Sequence, residues 1–364
     1  MLDTDEFKAW FRLLEAPALG REGVRRLLAS FGSATMALQA SAAAQREVVG
    51  ARAQAGLADE PEHFTARLAA ALQWWSGGAD RHVVTLGDAE YPPLLLHTAD
   101  PPLLLYVQGR VALLGQRSVA IVGSRNASAQ GMDNATAFAA HLSRENWCVV
   151  SGLAQGIDSA AHEGGLTGPG RTVAVVGTGL DRVYPSRHRA LAHRIAQGGA
   201  LVSEFAPGTP PLPPNFPLRN RIIAGLSRGT LVVEAALQSG SLITARAAAE
   251  MGREVFALPG SIHSPLSRGC HALIRQGAKL VESAQHILEE LQPAWQAAAP
   301  VLDAPPPGSD PLLSLLGHDP ATLDALGART GLSVQALSAR LMELELEGQV
   351  ERLPGGLYQR RARG

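Results

Sequence analysis

At 364 residues the chain is long enough for two or three domains of ordinary size, and its 46% hydrophobic share provides for a sizeable core. The formal net charge of −1 excludes a uniformly basic nucleic-acid binder, so any cationic surface must be local. Two cysteines without C-x-x-C spacing, Cys148 and Cys270, argue against a disulfide scaffold and a zinc cluster. The opening MLDTDEFKAW is acidic and has no signal-peptide core, and no run is long enough to span a membrane; a soluble cytoplasmic protein is expected.

Residues 1–78 read as a helical domain. Phe7, Trp10, Phe11, Leu13 and Leu14 recur at helical spacing, and Val24, Leu27, Leu28 and Phe31 form a second stripe after a turn at Pro17 to Gly20. Two helices joined this way resemble a helix-hairpin-helix or SAM-like unit. Arg21, Arg25 and Arg26 lie mostly off the second stripe, where they either meet a DNA backbone or form a solvated face.

Residues 79–292 alternate short apolar runs with helical segments. Strands are expected at 82–86, 103–107, 118–122, 147–150, 172–176, 200–203, 231–233, 255–258 and 279–281. Helices are expected at 129–144, from Gly156, at 187–196, from Leu242, at 271–276 and at 284–291. This alternation predicts an α/β fold with a mostly parallel sheet covered on both faces. Residues 293–309 are Ala/Pro-rich and read as a linker. In 310–364, helices at 312–316, 323–328 and 334–346, with Gly331 in the turn before the last, precede a hairpin turning at Gly355-Gly356, which makes a winged helix. Its third helix carries Glu343, Glu345 and Glu347 against Arg340, which suits protein contact or a structural role ahead of a phosphate-lined groove.

The strand ends carry the chemistry. Gly123, Gly152, Gly177 and Gly240 each sit in a small-residue loop after a strand, and in such sheets ligands bind beyond the carboxyl ends of the strands. The loop Gln238-Ser239-Gly240-Ser241 opens a helix, whose first free N–H groups favour an anion. Arg125 follows Gly123-Ser124 and can reach a phosphate above the sheet edge. Arg219 and Arg221 flank Asn220 and diverge on a helix, so one of them is expected to face the ligand. Phe216 beside them either stacks on a base or belongs to the core, and Asp158 either caps a helix and shapes its loop or meets a ribose. The histidines His162, His188, His193, His263 and His271 lack metal-ligand spacing. There is no G-x-S-x-G elbow and no P-loop, so no catalytic group, metal or cofactor is expected.

The segments VAIVGSRNAS, VVSGLAQGIDSAAHEGGL, VAVVGTGLDRVYP, FPLRNRIIAGLS and VVEAALQSGSLITARAAAEMGREVFALPG resemble, in this order, the DNA-processing protein A family, also called DprA or Smf. The resemblance is dense from Tyr91 to Ser283. It implies an extended Rossmann fold flanked by the SAM-like and winged-helix domains. It further implies sequence-independent single-stranded DNA binding, protection of incoming strands in natural transformation, loading of the RecA recombinase, and a homodimer. Carried onto this chain, the DNA site comprises Gly123, Ser124, Arg125, Ser151, Gly152, Gly156, Phe216, Arg219, Asn220, Arg221, Ser239, Gly240, Ser241 and Thr244. One departure is His271 after Gly269-Cys270, where similar sequences often have Asn. The alternative is a nucleotide-processing Rossmann enzyme of the phosphoribohydrolase type. Its PGGxGTxxE loop is matched here only by VVEAALQSGSLIT, without the double glycine or the downstream glutamate.

Overall fold

The computed structural model describes residues 2–292, 310–316, 321–330, 332, 334–353 and 356–360. The linker expected over 293–309, together with Gly331 and Gly355, lies outside the described residues. Two compact units divide at Gln292. No helix among the described residues is long and apolar enough to cross a membrane.

The first unit is built on a nine-stranded sheet. Its strands are β1 (Arg81–Thr85), β2 (Leu104–Gly109), β3 (Ser118–Val122), β4 (Cys148–Ser151), β5 (Thr172–Val175), β6 (Ala200–Ser203), β7 (Gly229–Val232), β8 (Glu254–Ala257) and β9 (Lys279–Leu280). The spatial order is β1-β2-β6-β5-β4-β3-β7-β8-β9, antiparallel at the β1-β2 and β2-β6 pairs and parallel elsewhere. The mostly parallel sheet expected from the alternation is therefore present. The order reverses between β3 and β7, which pair Ala120 with Thr230 and Val122 with Val232. A crevice is expected at such a switch point.

Both faces are dry because neighbouring residues on each strand point oppositely. Val119 and Ile121 of β3 join the core under the helices Ala129–Arg144 and Ile157–Gly165, whereas Ala120 and Val122 join the core under Asn215–Leu226. A near-continuous apolar strand is what a sheet covered on both sides requires.

The N-terminal helices, from Thr4–Glu15 to Phe64–Ser76, share a core with the sheet. Phe7 and Trp74 both meet the ring of Tyr106 on β2, at 6.5 and 5.7 Å, and Leu104 and Leu201 lie in the same cluster. Arg21 and Arg25 are partly exposed, and both are engaged in ion pairs. They pair with Asp100 at 2.5 and 3.0 Å, and Arg26 bonds the carbonyl of Val48.

In the second unit the helices Pro311–Leu316, Leu323–Thr330 and Val334–Leu346 accompany a three-stranded sheet of Ala321–Thr322, Val350–Leu353 and Leu357–Arg360. Leu326, Leu337, Leu341 and Leu344 form its core. Arg340, the cation on the acidic helix, is paired with Asp310 and Glu343. This is the winged helix expected from three helices and a hairpin.

Candidate nucleic-acid interface

A cleft of about 410 Å³ opens at the β3/β7 switch point. Ten of the residues proposed from sequence line it: Gly123, Ser124, Arg125, Phe216, Arg219, Asn220, Ser239, Gly240, Ser241 and Thr244. Parallel strands end on one edge, so loops far apart in sequence converge there.

Arg125 is exposed at the lip. Its guanidinium carbon lies 5.9 Å from the Phe216 ring centroid, and it has no carboxylate partner among the described residues. The preceding loop leaves no room for a larger residue at Gly123, where a Cβ would come within 2.6 Å of Ile157. Ser124 is anchored by donating its N–H to the Glu234 carbonyl at 2.7 Å. Phe216 is half-buried and its other neighbour is Tyr184, with ring centroids 5.6 Å apart at 41°. Tyr184 is 50% exposed. Arg125 and Phe216 thus line the cleft together, with the exposed Tyr184 ring packed on Phe216 beside it. Gly240 also lines the cleft and leads into the helix Ser241–Glu250, and Asn220 Nδ2 reaches the Gly240 carbonyl at 3.4 Å.

Four proposed residues lie elsewhere. Arg221 turns away from the cleft. Its guanidinium holds Glu204 at 2.5 Å and donates to the Asp100 carbonyl at 2.6 Å, within the network that also holds Arg21 and Arg25. Ser151 is fully buried, tying β4 to β3 through the Ile121 carbonyl at 2.7 Å. Gly152 and Gly156 shape the loop that follows β4. A Cβ at Gly152 would meet the Arg219 guanidinium, and Gly156 has φ +80° with the Ser124 carbonyl 2.3 Å from where a Cβ would sit.

Arg219 lines the cleft but does not project into it. It is 5% exposed, and its guanidinium donates to the carbonyls of Gly152 and Val175, binding the ends of β4 and β5 together. Burial lowers its pKa to about 10, against the opposing pull of Asp158, so it stays charged at neutral pH. Asp158 accepts from the N–H groups of Gly152 and Ala154 at 3.2 and 3.3 Å, which makes it a brace for the loop. Burial pushes its carboxyl upward, with Arg219 and those two amides opposing. Glu234, at the end of β7, accepts from Ser128 N–H at 2.9 Å at the start of the helix Ala129–Arg144. His271 donates to the Gly260 carbonyl at 3.0 Å and lies outside the cleft.

The loop has a further support that the motifs did not reveal. His162 is fully buried; its Nε2 accepts from Leu153 N–H at 3.2 Å and its Nδ1 lies 2.7 Å from Thr172 Oγ1. Thr172 Oγ1 in turn donates to the Val149 carbonyl, so the ring is a neutral imidazole with the proton on Nδ1. Burial, with the nearby positive charge of Arg219, lowers its pKa to about 3. A histidine depressed from its unfolded value contributes stability that is complete above that value and is lost as pH falls toward the folded pKa. The window is therefore below about pH 6.5, and about 2 kcal/mol should be lost between pH 7 and 5. The variant His162→Gln should lack that increment when urea unfolding is compared at the two pH values. An equal loss in both proteins would refute the assignment.

Tyr184, which packs on the cleft residue Phe216 without lining the cleft itself, is the neighbour that sequence reasoning missed. Its signal was present in VAVVGTGLDRVYP, but an aromatic in a loop gains meaning only from what stands opposite it.

Residues 82–292 match the family described as DNA recombination-mediator protein A, and residues 296–356 match the DprA winged helix domain. Protein Smf of Escherichia coli (strain K12) is 42% identical over 292 residues, which is 78% of each chain. The X-ray structure of DNA processing protein A from Streptococcus pneumoniae superposes with a TM-score of 0.68 at 38% identity, covering 80% of this chain and 99% of that one. A structure of DNA processing protein A from Helicobacter pylori, described for its unique single-stranded DNA binding mode, gives a TM-score of 0.53 at 30% identity and covers 58% and 95%. With one match over the sheet unit and another over the winged helix, the chain belongs to the DNA recombination-mediator protein A family, that of DprA and Smf.

Proposed function

We propose that the chain binds single-stranded DNA, without sequence preference, in the cleft at the β3/β7 switch point. The observation that carries this reading is the pair of Arg125 and Phe216 lining the cleft, with Tyr184 packed on Phe216 beside it. A cation serves the phosphate, and two aromatic faces accept any base, because every base has a π-face. The helix that begins at Ser241 also lines the cleft, and the positive end of its dipole favours a phosphate there, its first N–H groups already bonding Ser239 and Gly240. Similarity to the Helicobacter pylori protein, with its single-stranded DNA binding mode, supports the same conclusion.

The site is read as one of binding rather than catalysis. Asp158, the carboxylate among the residues lining the cleft, braces the loop after β4, and nearby Glu234 holds the start of a helix, so each has a structural task. In this reading the protein shields incoming strands in natural transformation, delivers them to RecA in the cytoplasm for recombination, and works as a homodimer. Two clefts on one strand would raise avidity without new contacts.

Fluorescence anisotropy with a labelled single strand, a duplex of the same sequence and nucleoside monophosphates as competitors tests the core of the proposal. The single strand should bind most tightly and resist the monophosphates. Release of free base from a monophosphate would instead support the phosphoribohydrolase reading. Sedimentation of the free protein, and RecA filament growth on protein-coated strands, test the dimer and the delivery step.

A further inference from the structure

A second cleft, of about 750 Å³, lies beside the helices Phe64–Ser76 and Arg189–Gly198. Apolar side chains line it, among them Val176, Leu180 and Leu201, together with Trp74. Arg81, Arg182, Arg189 and His193 also line it. The only carboxylate among its lining residues, Asp181, is engaged by Arg182 at 3.1 Å and by the Gly208 N–H at 2.8 Å. Arg189 is exposed, and its guanidinium has no hydrogen-bond or ion-pair partner among the described residues. Trp74 is 5% exposed, and its buried indole Nε1 has no acceptor. Apolar walls and excess arginine fit a nucleotide, with the base against the walls and the phosphate at the arginines.

Two segments connect this cleft to the one at Arg125. Leu153 lines the second cleft and Ala154 the first. Arg182 and Val183 line the second, and the next residue, Tyr184, packs on Phe216 of the first. Positions two apart on a chain are separated by at most about 7 Å.

We propose that a single strand held at Phe216 runs on over Tyr184 and places its next nucleotides in the second cleft, with phosphates at Arg182 and Arg189. The inference rests on the strand-binding reading of the first cleft. It makes the occluded strand longer than one cleft can hold, and it gives the N-terminal helices a share in the binding surface.

The test compares oligothymidylates of six and twenty nucleotides across a salt series, using the full chain and the variant Arg182→Ala/Arg189→Ala. Two extra phosphate contacts should steepen the slope of log affinity against log salt by about 1.4 for the long strand relative to the short one. That difference should disappear in the double variant. Arg189→Ala alone, at an exposed and unpaired position, should remove about half of it. If the unaltered protein binds neither strand, the first-cleft reading fails and takes this one with it. If it binds the short strand but shows no slope difference, or if the difference survives in the double variant, only the second-cleft path is overturned. Deoxythymidine monophosphate binding that the double variant loses while the slope difference survives would assign the cleft to free nucleotides and also overturn the path.

Discussion

The variant Arg125→Ala/Phe216→Ala should bind single-stranded DNA about a hundredfold more weakly than the unaltered protein near 0.1 M salt. Stacking one base on an aromatic ring contributes about 1–3 kcal/mol, and a phosphate contact at an exposed arginine adds to it. The single variants should separate the two effects. Arg125→Ala should lower the salt slope by about 0.7, because one condensed counterion fewer is released. Phe216→Ala should shift affinity at every salt concentration and leave the slope alone, because stacking displaces no counterion. Neither change threatens the fold, since Arg125 is exposed and Phe216 is half-buried at the cleft mouth. Anisotropy titrations at four salt concentrations provide the measurement. Unchanged affinity in the folded double variant would sink the cleft assignment.

Arg219→Ala should act differently, through stability. The guanidinium is buried and holds the carbonyls of Gly152 and Val175, which follow β4 and end β5. Truncation leaves both carbonyls without those donors and removes the positive charge that offsets buried Asp158. Breaking a buried charged network from one side costs about 3–5 kcal/mol. Urea unfolding should show a loss of that order, and strand binding should fail with it as the loop loses its brace. The variant Asp158→Asn/Arg219→Met should recover part of the loss, because it leaves no uncompensated carboxylate. A cost below about 1 kcal/mol for Arg219→Ala would mean that the guanidinium is not the clasp described here.

The two arginines show how far motif reading reaches. Helical spacing correctly separates Arg219 from Arg221, since positions two apart face different directions. It does not say what each direction contains. Arg221 finds Glu204 and Asp100, partners from two other segments, and Arg219 finds strand-end carbonyls beneath the loop. Arg125, named from its place after a strand and a Gly-Ser pair, is the arginine left exposed at the cleft mouth. Similarly, Ser151, Gly152 and Gly156 belong to the motif because they shape the loop, although the cleft lining does not include them.

By itself the sequence determined the sheet, the winged helix and the edge where the cleft opens. The central strands are mostly apolar runs, nearly all strand ends carry Gly or Ser, and parallel strands must finish on one side. These are local signals, and they survive reading one segment at a time. The tertiary structure alone decided which cation is exposed, that Tyr184 stands beside Phe216, and that the N-terminal helices close over Tyr106 within one core. Periodicity specifies which face of an element is apolar, but not which distant element covers it. Burial and pairing of a charged side chain depend on that covering element, so they emerge only when the chain is folded.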